Sequence, residues 1–491
     1  MINSELLILI ISTFLIVFSI RYVIRIWQLP PGPWGLPLIG YLPWIGRKPC
    51  VTFLGLKKKY GNLITVNLGG ITMLVLNDWN AIKATLIDRK HHFSGRPNAY
   101  ISDTITGRKD MALSDGPVCL QQRKIMVNCM RKIGLGKKSM EDSIMEPIHE
   151  LIDILSNYNN KNMEMTTIFL KPTQQILWKL VSGHKLKDED LEKFSNELDY
   201  FMKTCRPHHP VNMMPILRYI PPNGFGYKVV VNFSKSVRNY LQPIIQQHLI
   251  ERNKSTDRDF IDLYLDQIEE MSKTSASCPP YDVEHLMGSL WDIFIAGTET
   301  SNTLSRWTFL YMAIFPQVQQ KIQTEIDLIV GENRIPTLDD MPQLRYLQAT
   351  IMEICRHSSL VPLSLPHRTI APVEVCGFKI PAKMTVIPNI YSVNYDTNLW
   401  KNPHEFDPKR FLDKDNNIKC PPHFIPFSVG SRMCIGESVA EMEIRLILGC
   451  LLQKFNFSLP KGQPEPTLEA VVGVVYKPLP YSLHITKRFV N

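Results

Sequence analysis

Paired cysteines are missing. The chain of 491 residues has ten cysteines, scattered, with no Cys-x-x-Cys. That excludes zinc ribbons, thioredoxin-like redox pairs and a disulfide scaffold. A dominant charge is missing too. Lys plus Arg (55) exceeds Asp plus Glu (46) by nine, a mild basic excess that suits an acidic partner or an anionic membrane and does not call for nucleic acid. There is no internal repeat, no low-complexity tract and no βαβ alternation, which sets aside solenoids and doubly wound sheets. With 44% apolar and 21% charged residues, the chain is neither mostly disordered nor a polytopic membrane protein.

Long apolar runs are confined to the N-terminus. Leu6 to Ile20 is broken only by Ser12, Thr13 and Ser19. As a helix it covers ~22 Å, and extension to Trp27 gives ~33 Å, enough for the hydrocarbon core. Arg21 and Arg25 can snorkel to the interface, and Tyr22 and Trp27 suit its aromatic belt. Glu5 precedes the run and the basic residues follow it. This reads as an uncleaved single-pass anchor over residues 1–28, with the remaining chain on the cytoplasmic side. The run from Leu29 to Pro37 holds four prolines, cannot be helical, and forms an extended hinge over residues 29–40. No linker follows it, so residues 41–491 read as one large domain.

That domain is expected to be mainly α with small β-sheets. Helical patterns cover Gln121 to Arg131, Ser139 to Ser156, Val230 to Glu251, Gln343 to His357 and Ile435 to Phe455. The longest runs from Asp282 to Phe315 and stops at Pro316. Ile64 to Leu76 reads as a hairpin around Gly69-Gly70, Val373 to Val386 as strands, and Gly473 to Ile485 as a last hairpin.

The most informative stretch is Phe427-Ser-Val-Gly430-Ser-Arg432-Met-Cys434-Ile-Gly436-Glu437. Gly430 permits a turn at positive φ, and Gly436 permits close approach of something flat. Cys434 falls where a loop enters a helix, a place that favours a thiolate and a lowered pKa, with Arg432 as a nearby cation. A single cysteine before a helix is usually structural. Five agreeing positions are a different matter.

The stretch resembles the haem-binding signature of the cytochrome P-450 family, Phe-x-x-Gly-x-Arg-x-Cys-x-Gly, without departure. The resemblance, which spans Pro30 to nearly the C-terminus, implies a haem-thiolate fold with Cys434 as axial ligand of haem b. Glu353 and Arg356 share a helix face; in the family such a pair is joined by an arginine from a later loop, here Arg410 in Phe406-Asp-Pro-Lys-Arg-Phe, to lock the structure. Ala296-Gly297-Thr298-Glu299-Thr300 matches the oxygen-activating groove, where a local helix break makes room, Thr300 relays a proton and Glu299 helps supply it. The plain alternative is a kinked helix with a back-bonded threonine. Propionate partners implied are Arg432, His367 and Arg123. Where the family has Trp four residues before the equivalent of Arg123, this chain has Cys119, which removes one propionate contact.

The resemblance further implies electrons from NADPH through a flavoprotein reductase, with cytochrome b5 as a second candidate donor. Arg123, Lys124, Arg131, Lys132, Lys137 and Lys138 form a basic cluster without an acid, suited to steer an acidic reductase. Val211 to Pro222 is apolar and proline-broken, fit to dip into lipid. Tyr100 to Leu113, Phe201, Phe294, Ala296, Val361 to Leu365 and Val472 to Val475 are expected to face a small hydrophobic substrate, each being also plausible plain core. The expectation is a microsomal monooxygenase of xenobiotics, steroids or fatty acids in the endoplasmic reticulum membrane. The rivals are a reductase-independent isomerase or dehydratase on the same fold and a non-catalytic haem or lipid carrier.

Overall fold

The computed structural model describes residues 13, 28–37, 39–134, 140–183, 185–187, 189, 197–198, 201, 210–213, 215–251, 259–274 and 281–489. Among these, no helix is long and apolar enough to cross a membrane. The anchor expected over residues 1–28 lies, apart from Thr13 and Gln28, outside the described residues.

The longer helices are α1 (Pro49–Tyr60), α2 (Tyr100–Thr106), α3 (Gly116–Ile133), α4 (Glu141–Ser156), α5 (Leu170–Ser182), α6 (Tyr227–Glu251), α7 (Phe260–Thr274), α8 (Val283–Ile314), α9 (Pro316–Ile329), α10 (Arg345–Ser358) and α11 (Glu437–Lys454). The strands are β1 (Leu63–Leu68), β2 (Ile71–Leu76), β3 (Lys161–Glu164), β4 (His367–Arg368), β5 (Val373–Val375), β6 (Phe378–Ile380), β7 (Thr385–Pro388), β8 (Phe455–Ser458), β9 (Ala470–Val471), β10 (Lys477–Pro478) and β11 (Ser482–Lys487). The protein is mainly helical with small sheets, as its sequence implies.

The chain divides into two units. The first comprises Met1–Pro97, Leu363–Val393 and Val429–Arg432. Its sheet has the order β1-β2-β7-β4. β1 and β2 form the expected hairpin, Leu63 opposite Leu76 and Leu68 opposite Ile71, while β2 runs parallel to β7. β5 and β6 pair antiparallel.

The second unit comprises Asn98–Pro362, Asn394–Ser428 and Met433–Asn491. Its axis is α8. Asp282 caps the start, its Oδ1 accepting from the Glu284 and His285 amides at 3.1 and 3.2 Å. The His285 ring returns the contact to the Asp282 amide, completing a capping box. Pro316 bars continuation at the other end. The 32 residues of α8 cover ~48 Å at 1.5 Å per residue. Trp307, Phe309, Leu310 and Tyr311 are all buried in the second half of α8, and each contributes on the order of 1.5–3 kcal/mol by leaving water. The segment Tyr476 to Pro478 lies along this helix: Trp307 Nε1 donates to Tyr476 O at 2.8 Å and Arg306 Nη2 to Pro478 O at 3.1 Å.

Two expectations need correction. Gly473 to Ile485 is not one hairpin. β10 pairs with β9, and β11 pairs with β3 and β8 on its two sides. Its burial alternates, with Leu483 and Ile485 inward, which suits a central strand rather than a hairpin arm. The break implied in the middle of α8 is also absent, since the helix runs uninterrupted from Val283 to Ile314.

Candidate active site

Cys434 lies in the second unit, three residues before α11, whose N-cap is Gly436. Its amide donates to Phe427 O at 3.0 Å, which fixes the loop ahead of the helix. The sulfur sits in dense surroundings although the residue keeps solvent contact. Burial pushes the Cys434 thiol above its ordinary value, as does the charge of Glu437. The amides of Gly436 and Glu437 and the charge of Arg123 pull it down, less strongly. The expectation of a lowered pKa is therefore overturned. The helix-start amides act in the anticipated direction, but desolvation of the thiolate outweighs them.

These residues fit a haem iron on the sulfur. A coordinating metal deprotonates a thiol outright, and the two amides plus Arg123 are the partners that a ligating thiolate needs. Gly436 leaves the flank of the sulfur open, because a Cβ there would rest 3.8 Å from Sγ. Gly430 is required for another reason: it sits at φ +81° and a Cβ would come within 1.9 Å of Leu86 O.

In the first unit, Arg432 Nε donates to Ser94 O at 2.7 Å. His367 is buried, and its Nδ1 donates to Phe93 O at 2.8 Å. Burial, with Arg96 and Arg432 nearby, brings its pKa down to about 3. The imidazole is thus neutral, its one proton is used on Phe93, and Nε2 presents a lone pair. The positive charge beside it belongs to Arg432 and to Arg96, which sequence reasoning missed. Arg96 is 4% exposed, and its Nη1 donates to Leu365 O and Pro366 O at 3.1 and 2.8 Å. A lone arginine after Gly95 gave no periodic signal. Its local one was the glycine, where a Cβ would meet Arg368 O at 2.8 Å.

On α8, Gly297 faces α5, and a Cβ would lie 2.7 Å from Leu177 Cδ1. The roughly 1 kcal/mol that glycine costs a helix interior is offset by close helix packing. Thr300 Oγ1 donates to Ala296 O at 2.6 Å, the back-bonded arrangement. Glu299 is 3% exposed and its Oε1 lies 2.5 Å from Lys477 Nζ of β10. Sequence spacing gave no hint of this ion pair. Lys477→Met is expected to destabilise the protein by up to about 3 kcal/mol, the low end for breaking a buried pair. The low end applies because the lysine keeps 18% of its side chain exposed. Chemical unfolding checks this, and a change near zero would mean that water serves Glu299 as well as Lys477 does.

Glu353, Arg356 and Arg410 come together. Glu353 and Arg356 are fully buried on one face of α10. Arg356 Nε and Nη2 grip the Glu353 carboxylate at 2.7 and 2.8 Å, and Arg410 Nε reaches it at 2.9 Å.

Among the segments expected to face substrate, Phe201 stacks on Phe233 at 4.7 Å and Phe294 meets Trp178 edge-on at 6.2 Å. Both are buried in aromatic packing, and Ala296 is exposed. Asp292, not singled out from sequence, accepts from the amides of Met111 and Ala112 at 2.8 and 2.9 Å, holding that loop on α8. Of the basic cluster, Arg123, Lys124, Arg131 and Lys132 lie on α3; Lys137 and Lys138 lie outside the described residues.

The family model of cytochrome P450 matches residues 30–485. The chain is 32% identical over 472 residues to cytochrome P450 18a1 of Drosophila melanogaster, covering 94% of this chain and 87% of that one. It is 31% identical over 490 residues to cytochrome P450 2U1 of Homo sapiens, covering 94% and 89%. With cytochrome P450 2L1 of Panulirus argus it shares 31% over 471 residues, covering 94% and 95%.

Proposed function

The chain belongs to the cytochrome P450 family and is a haem-dependent monooxygenase of microsomal type, and from that premise we propose that it inserts one oxygen atom of O2 into a small hydrophobic substrate, with electrons from NADPH through a flavoprotein reductase. The observation that carries this is the Cys434 loop: an accessible sulfur flanked by two amide donors, Arg123 and a glycine. When bound, haem supplies the oxygen chemistry, and thiolate ligation favours O–O cleavage.

The chain's own residues do the rest. Cys434 holds the iron. Arg123, Arg432 and Arg96 are cations for the propionates, with fork geometry suited to carboxylates. Phe427 carries the carbonyl that fixes the Cys434 loop. Gly297 lets α8 approach α5. The Thr300 hydroxyl, hydrogen-bonded to Ala296 O, relays protons by turning from that carbonyl toward substrate oxygen, and the Glu299 carboxylate, held in place by Lys477, takes up protons from water and passes them on. Glu353, Arg356 and Arg410 are structural.

The substrate enters from lipid in this reading. Ile216, Tyr219, Ile220 and Phe225 are 65, 67, 46 and 51% exposed within one short stretch, an apolar surface of the kind that meets a membrane. That surface supports a location on the endoplasmic reticulum membrane, where we propose that an N-terminal anchor holds the chain, the cations of α3 meet the reductase and cytochrome b5 serves as an additional donor. Xenobiotics, steroids and fatty acids all suit an apolar lining.

The test is turnover of the purified full chain with reductase and NADPH against a panel of these lipophiles. Hydroxylated products that require both are expected. Conversion of a peroxide substrate without reductase, with none in its presence, would establish the isomerase alternative instead. In the same assay Thr300→Ala should keep consuming NADPH while releasing hydrogen peroxide, at roughly a tenth of the normal product yield or less, the size of effect expected for a lost proton-transfer group. Tight coupling in that variant would remove Thr300 from the relay.

A further inference from the structure

Tyr311 of α8 is 1% exposed, yet its phenol meets a ring that can take a proton. Tyr311 Oη and His357 Nδ1, on α10, are 2.5 Å apart. The far ring nitrogen, Nε2, lies 3.1 Å from His404 O. A carbonyl oxygen only accepts, so Nε2 carries the hydrogen. Burial holds the His357 pKa below its ordinary value; the bond to His404 O and the Glu353 charge oppose this, and the Arg356 charge adds to it. The ring is therefore neutral, Nδ1 presents a lone pair, and the Tyr311 hydroxyl donates to it. Burial also pushes the Tyr311 phenol well above its ordinary value, so the phenol keeps its proton until an electron is removed. The hydroxyls of Tyr264, Tyr281, Tyr395 and Tyr481 donate instead to an amide or carbonyl oxygen, which does not hold a proton at neutral pH. Oxidisable rings flank the pair. Trp307, one turn back on α8, has its ring 6.0 Å from that of Tyr311. Tyr395 lies 6.0 Å from His357 and 5.1 Å from the ring of His404, which is exposed. Along the uninterrupted α8, Tyr311 is eleven residues, ~16.5 Å, from Thr300.

We propose that Tyr311 and His357 form a redox site: Tyr311 gives one electron to a peroxide-oxidised haem by way of Trp307, while its proton passes to His357 Nδ1. The step balances. The O–H bond of Tyr311 breaks and an N–H bond forms on Nδ1. Tyr311 becomes a neutral radical, His357 an imidazolium still held by His404 O, and the haem is reduced by one electron. The oxidant is of the class that a haem monooxygenase generates from O2 or forms directly with peroxide. A thiol or another one-electron donor in solution, meeting the protein near Tyr395 and His404, returns the electron, and the proton goes back from Nδ1 to the phenol. When no substrate is present, the site draws oxidising equivalents away from the haem. It needs bound haem but neither the reductase nor the Thr300 relay, so it stands apart from the oxygenation proposed above. The charged groups facing the pair are Glu353 and Arg356, which bind each other.

Rapid-freeze electron paramagnetic resonance of the full-length, haem-loaded ferric protein mixed with peroxide tests the site. A tyrosyl signal is expected, coupled to one exchangeable proton, the one now on Nδ1, with that coupling lost in D2O. This readout is taken on wild type and needs no substitution. No tyrosyl signal, or a tyrosyl without the exchangeable coupling, overturns the proposal. Tyr311→Phe removes only the hydroxyl and should abolish the signal. A signal unchanged in that variant, or lost in Tyr395→Phe instead, overturns the assignment to Tyr311. His357→Gln keeps an acceptor but no nitrogen that holds the proton, and should lower the radical yield about tenfold or more, at the haem content and unfolding midpoint of wild type. An unchanged yield overturns the part given to His357. With peroxide and no substrate, Tyr311→Phe should bleach its haem faster than wild type does, and equal bleaching overturns the protective role.

Discussion

Arg356→Leu is expected to leave almost no folded, haem-retaining protein, at a cost of about 3–5 kcal/mol, the range for removing one partner of a buried ion pair. The arginine is fully buried and all its donors are used. Besides Glu353, Nη1 serves Asn394 O and Pro403 O at 2.7 and 2.9 Å, and Nη2 serves Glu405 O at 3.3 Å. Without it, the Glu353 carboxylate keeps, among the described residues, Arg410 and the Asp407 amide at 3.0 Å, and three carbonyls lose a donor. The whole stability of such a domain is on the order of 5–15 kcal/mol, so the loss consumes a large share. Arg356→Lys retains the charge but not the planar fork, and should recover only part. Soluble yield, thermal unfolding and haem content check both variants. A midpoint for Arg356→Leu within a degree or two of wild type would show that the network is not what holds this region.

Cys434→Ser is expected to abolish oxygenation while leaving the fold intact. The change is nearly isosteric and the amides of Gly436 and Glu437 can serve a hydroxyl as well as a sulfur. What is lost is the proposed ligand. Serine does not ionise under these conditions, whereas the thiol, though raised by its surroundings, gives up its proton to a metal. Circular dichroism and unfolding should match wild type, and product formation should drop below detection. Retained turnover would move the iron ligand elsewhere and favour a carrier or another enzyme class.

The features legible in the sequence were those with short-range causes. The ends of α8 followed from a capping aspartate and a proline. The β1–β2 hairpin followed from its apolar runs around Gly69-Gly70. The Cys434 loop and the Glu353–Arg356 pair were picked out by short local patterns together with the family resemblance those patterns carry. What escaped was set by contacts through space. Nothing near Glu299 announces Lys477, and nothing near Arg96 announces the carbonyls it gathers. The direction of the Cys434 pKa depended on how much water packing removes, which no motif encodes. β11 was misassigned because its partners, β3 and β8, are distant in sequence.

Reduction of the purified full-length protein under carbon monoxide tests the central claim most directly. Thiolate ligation by Cys434 predicts a strongly red-shifted main absorbance band in the ferrous–carbon monoxide complex of wild type, and its loss in Cys434→Ser. A wild-type band at the position given by histidine or neutral-thiol ligation, or a red-shifted band that survives the serine substitution, would contradict it.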